Sequence, residues 1–125
     1  MPVRWTVDHQ ARFVRATAEG LLTAAEVRDY LDGVAAAGAM PYAKLFDVTG
    51  ADSLLSFDDL AALGSSIRQY AVDSMGRLGP LAIVVGESQA LQAARFADTS
   101  VSNRPLRIFR DHQQAEAWLE QILER

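Results

Sequence analysis

Leu81-Ala82-Ile83-Val84-Val85 is an unbroken apolar run held between Gly79-Pro80 and Gly86. A run this short and this uniformly apolar, ending in three β-branched residues, reads as a strand covered on both faces, the habit of parallel sheets. A second such run, Ala43-Lys44-Leu45-Phe46-Asp47-Val48, is expected to close at Thr49-Gly50. Pro105 to Arg110 supplies a third strand. Between and after these runs the apolar residues recur at helical spacing. Thr23 with Glu26 makes a capping-box signature ahead of Val27, Tyr30, Leu31 and Val34, and Gly38 with Pro41 ends that helix. Ser56 is expected to cap a second helix, its first turn holding Asp58 and Asp59 and its buried side Phe57, Leu60, Ala61, Ile67 and Ala71, through to about Met75. A third is expected from about Gln89 to Ala97 after the turn Gly86-Glu87-Ser88. Asp111 caps a fourth, with Ala115, Trp118, Leu119 and Ile122 inward.

The chain opens differently. Val3, Trp5 and Val7 alternate with Arg4, Thr6 and Asp8, the period of a half-buried strand. His9-Gln10 turns the chain into a second strand, Ala11 to Ala18, which Glu19-Gly20 is expected to end. Strands joined so tightly run antiparallel. The expected fold is therefore one α/β domain: a single mixed, mainly parallel sheet with an N-terminal antiparallel hairpin and four helices, in the order ββαβαβαβα. Trp5 on that hairpin carries two readings, a core residue or a partner anchor on a sheet edge.

Composition bounds the function. The 125 residues are 50% hydrophobic and 22% charged, enough for one packed core and too short for two domains. Sixteen acidic against 12 basic residues give a net charge of -4, which argues against general nucleic-acid affinity. There is no cysteine, so disulfides, thiol catalysis and cysteine metal sites are excluded. No apolar run approaches the roughly 20 residues of a membrane span, and the N-terminal sequence has no signal-peptide pattern, so the cytoplasm is the expected compartment. Of the 12 basic residues only Lys44 is lysine. With the many alanines, that arginine bias points to a GC-rich bacterial genome.

Five segments together resemble the SpoIIAA-like branch of the STAS-type domains. They are Ala18-Glu19-Gly20-Leu21-Leu22-Thr23, Leu45-Phe46-Asp47-Val48, Gly79 to Val85, Arg107-Ile108-Phe109-Arg110 and Ala115-Glu116-Ala117-Trp118-Leu119. These small bacterial domains are related in fold to anti-sigma-factor antagonists and, more distantly, to CRAL-TRIO lipid-transfer domains. The resemblance implies a scaffold that binds or signals. In the antagonists a serine in an Asp-Ser-Ser-Gly-type turn is phosphorylated. Here the matching stretch, Asp47 to Ser56, holds Asp52-Ser53 and lacks the Ser-Gly continuation, so that switch is not carried over.

The carboxyl ends of the parallel strands are where ligands gather in such sheets. That edge is expected to hold Asp47, Thr49 and Gly50, then Gly86, Glu87 and Ser88, then Arg110, Asp111 and His112. Ser88 and Arg110 read either as a helix cap and a solvated charge or as an anion site. Ser53 is a better candidate for modification than Ser56, which the helix needs as its cap. His9 and His112 lack the spacing of a metal pair, no Gly-x-Ser-x-Gly elbow exists, and no cofactor is expected. The expected function is a non-enzymatic regulatory or protein-interaction domain. It would present the surface around Asp47, Thr49, Gly50, Asp52, Ser53 and Ser56 to a protein partner or to a second copy as a homodimer. The alternative is a carrier or sensor of a small apolar or anionic ligand.

Overall fold

The computed structural model describes residues 3–53, 58–59, 62–63, 65–66, 69, 79–86 and 106–123. The five apolar and alternating runs all form strands: β1 (Val3–Asp8), β2 (Phe13–Leu22), β3 (Ala43–Ser53), β4 (Leu81–Val84) and β5 (Leu106–Phe109). They build one sheet in the order β1-β2-β3-β4-β5. β1 and β2 are antiparallel, and every later pair is parallel. The hairpin turn between β1 and β2 is held by Asp8, whose Oδ1 accepts from the amides of Gln10 and Ala11, both at 3.0 Å.

Helix α1 (Ala24–Ala36) starts where the capping signature places it, with Thr23 Oγ1 accepting from the Glu26 amide. It ends in a Schellman motif. Gly38 at φ +70 donates to Ala35 O, and Ala39 donates to Val34 O, both at 3.0 Å. The last helix, α2 (His112–Leu123), is capped by Asp111, whose Oδ1 accepts from the Gln113 amide at 2.9 Å. Of the expected second helix, Asp58, Asp59, Ala62, Leu63, Ser65, Ser66 and Gln69 are described and helical. The expected inner residues of that helix (Phe57, Leu60, Ala61, Ile67, Ala71), Leu54 and Leu55, and the expected third helix lie outside the described residues. Among the described residues, α1 and α2 have both ends placed, and the second expected helix is helical wherever it is described.

Two expected strand ends are corrected. Glu19-Gly20 does not stop β2, and Thr49-Gly50 does not stop β3; Ala51 to Ser53, expected as loop, pair with Gly20 to Leu22. The partners are Thr17 with Asp47 and then Glu19 with Gly50, so Val48 and Thr49 together face Ala18 alone. This bulge changes which β3 residues face which side. Leu45 faces α2, whereas beyond the bulge Ala51 packs into the cluster under α1. Gly20, at φ +68, takes the left-handed backbone that a side chain resists.

The core has two parts, one on each face of the sheet. Val14, Ala16, Phe46, Ile83 and Leu63 join Tyr30 and Val34 of α1 on one side. Phe13, Leu45, Val84 and Phe109 join Ala115 and Leu119 of α2 on the other. Trp5 belongs to the first: its ring meets Tyr30 edge-on at 5.6 Å and lies against Gly33. Lys44 is buried at 2% exposure, its Nζ donating to the carbonyls of Met40 and Tyr42. Among the described residues no helix is long and apolar enough to cross a membrane.

Candidate functional site

At the bulge the Asp47 side chain does local work. Its Oδ1 accepts from the Thr49 amide at 2.9 Å and from Thr49 Oγ1 at 2.6 Å, satisfying the residue that the register shift displaces. Its Oδ2 faces His112 Nδ1 at 3.2 Å, at the first position of α2. One turn on, Glu116 Oε1 lies 3.7 Å from His112 Nε2. The same oxygen accepts from Arg15 Nε at 3.1 Å and Nη2 at 2.7 Å. A file of alternating polar groups thus runs Thr49, Asp47, His112, Glu116, Arg15 across β3, α2 and β2.

Burial pushes the Asp47 carboxyl up, but the hydrogen bonds from Thr49 and the neighbouring His112 outweigh it and hold the group below its ordinary value. Asp47 is therefore an anion at neutral pH, committed to partners inside the fold. His112 has one carboxylate on each side of its ring. Those two carboxylates diverge and do not converge on one metal position, and among the described residues no group of three potential ligands assembles. A hydrolytic relay would turn Nε2 toward a nucleophile; here Nε2 faces Glu116. The file of polar groups ties the start of α2 to β3 and β2.

The expected site residues fall into separate places. Asp47 and Thr49 join His112 in the file above. Gly50, Asp52 and Ser53 lie beyond the bulge, where β2 and β3 outrun their neighbours: β1 begins opposite Ala18, and β4 ends opposite Asp47. Among the described residues, Glu19–Leu22 and Gly50–Ser53 form a two-stranded ribbon beyond these ends. Gly50 and Asp52 are exposed on it. Arg110 is exposed at the bend before α2. Ser56 and Ser88 lie outside the described residues. The described sheet has no topological switch point. A crevice opens at the carboxyl ends where strand order reverses, and this order never reverses.

Three features of the site were not among the expected residues. The Arg15–Glu116 pair joins positions 101 apart, with no local signal. Glu116 sits four residues after His112, the spacing that puts them on one helix face, and that was readable. Leu21 is 58% exposed on the ribbon. Its place next to the positive-φ Gly20 hid it, since Glu19-Gly20 reads as a strand end.

No family model matches the chain, and neither does any curated protein. Among solved structures it is similar to an uncharacterised protein of the DUF3478 family with a SpoIIAA-like fold, from Shewanella loihica PV-4. That likeness covers 94% of this chain and 93% of the other, with a TM-score of 0.57 and 20% identity. The fold is SpoIIAA-like.

Proposed function

We propose that this SpoIIAA-like chain is a non-enzymatic regulatory or protein-interaction domain, and that the β2–β3 ribbon is the surface it offers a protein partner. The observation that carries this is Leu21, a large apolar side chain 58% exposed on a hydrogen-bonded extension of the sheet. An apolar residue held on ordered backbone loses little conformational freedom on binding, and covering it removes apolar surface from water. Asp52 and Ser53 lie on the facing strand of the ribbon, Leu21 pairing in register with Asp52. Asp52, exposed beside it, gives the apolar residue a charged neighbour.

Native mass spectrometry on protein isolated gently from its own host tests the reading. A second polypeptide, lost on Leu21→Glu or Asp52→Arg without a fall in melting temperature, supports it. Undiminished binding by both variants would overturn the assigned surface. A discrete small mass in place of a polypeptide would make the chain a carrier or sensor instead.

A further inference from the structure

β1 is an outer strand of the sheet, and among the described residues nothing pairs with its far edge. Outer strands are ordinarily blunted, because their backbone groups recruit any chain of matching pattern. The pattern here matches itself. Counting outward from Thr6, Trp5 and Val7 lie one residue away on either side, both apolar and both packed against the α1-side core. Arg4 and Asp8 lie two away, both exposed and of opposite charge. Both turn amides use Asp8 Oδ1, and the other oxygen has no partner among the described residues.

We propose that two copies of this chain pair through β1, antiparallel about a two-fold axis at Thr6, to form one continuous sheet. In that register Thr6 faces Thr6 of the second copy, Trp5 faces Val7, and Arg4 faces Asp8, each of the last two twice. The axis stands perpendicular to the sheet, so both α1 helices lie on the same side. α1 rests over β1. Bringing the strands together therefore brings the helices together, which matters because a six-residue strand pair falls short of the roughly 1,000 Å² a lasting interface needs. Moving the axis to Trp5 sets Arg4 against Thr6, and moving it to Val7 carries Arg4 past the strand end; either shift loses both ion pairs. The opposite outer strand offers no such match. β5 has Arg107 as its one charged residue, so no two-fold register gives that charge an acidic partner within the strand.

The absence of cysteine makes the test clean. Directly opposed residues in an antiparallel pair have Cβ atoms about 4.5–5.5 Å apart, close enough for a disulfide after small adjustment. Thr6→Cys should cross-link to a covalent dimer under mild oxidation, while Arg4→Cys, four residues from its own symmetry mate, should not. Sedimentation equilibrium of the unmodified chain should show a monomer–dimer equilibrium. Thr6→Lys, which opposes two ammonium groups on the axis, should weaken that dimer by more than about tenfold. Thermal melting at a concentration where both proteins are monomeric should show the variant still folded. A chain that stays monomeric across the concentration range overturns the proposal. So does a dimer that Thr6→Lys leaves unchanged, or cross-linking of Arg4→Cys as fast as Thr6→Cys.

Discussion

The Asp47 carboxylate is held by the amide and hydroxyl of its second neighbour and by a histidine 65 positions away. Each contact favours the ionised form, so the native group binds its proton at lower pH than the unfolded chain, where the ordinary value is 3.8. Between those two values the unfolded state carries more protons, and stability rises with pH. Asp47 therefore stabilises the fold fully above the ordinary carboxylate range and loses that contribution as pH falls through its lowered native value. Asp47→Ala should cost about 1–3 kcal/mol near neutral pH in urea unfolding. The gap to the unaltered chain should close as the solution is acidified; a gap constant with pH would mean that packing, not charge, accounts for the loss. Gly79 makes a second residue-scale case. Its amide donates to Met40 O at 3.0 Å, and a Cβ there would overlap the Tyr42 carbonyl. Backbone cannot swing aside as a side chain does. Gly79→Ala should lower stability by about 1–3 kcal/mol, read as a fall in melting temperature.

Elements show which signals travel in sequence and which do not. β4 was readable because five apolar residues between glycine and proline breaks allow little else, and α1 because its cap, its spacing and its terminal Gly38 agree. The true lengths of β2 and β3 were not readable. Glu19-Gly20 and Thr49-Gly50 look like strand ends, yet the same glycine that breaks a strand also serves at a bulge, and only the partner strand decides between the two. The Asp47–His112 contact was half readable: both residues belonged to the expected carboxyl edge, but their distance depends on where α2 lands. Helix α1 against β1 gives a prediction at this scale. Replacing Gly33 by alanine in an isolated helix gains up to about 1 kcal/mol. Here the added Cβ would lie 2.5 Å from Trp5 Cζ2, and that ring is fixed edge-on against Tyr30. The clash outweighs the propensity gain, and Gly33→Ala should destabilise by about 1–2 kcal/mol. In a Trp5→Leu background the same change should become neutral or stabilising. Equal effects in both backgrounds would show that the ring does not set the cost.

Across the whole molecule, strength is concentrated in the middle of the sheet. Lys44 to Asp47 of β3 pair with β2 on one side and β4 on the other, and apolar clusters cover both faces. Past the bulge that arrangement thins among the described residues. Gly20–Leu22 and Gly50–Ser53 pair with each other beyond the ends of β1 and β4, and Leu21 faces solvent. Regions with fewer buried apolar neighbours open at lower free energy than the core and do so without global unfolding. Amide hydrogen exchange should therefore separate the two ends of the same strands, residues 20–22 and 50–53 exchanging more than about tenfold faster than 44–47. A bound partner should slow the ribbon amides selectively, because ordering an element of low local stability is what binding there would accomplish. Protection gained instead along β1 at rising protein concentration would report the self-paired edge. The two surfaces lie on different parts of the sheet, so the exchange pattern tells them apart in a single experiment. Uniform exchange along β2 and β3 would mean that the ribbon is as stable as the sheet body, and binding would then have no local order left to gain.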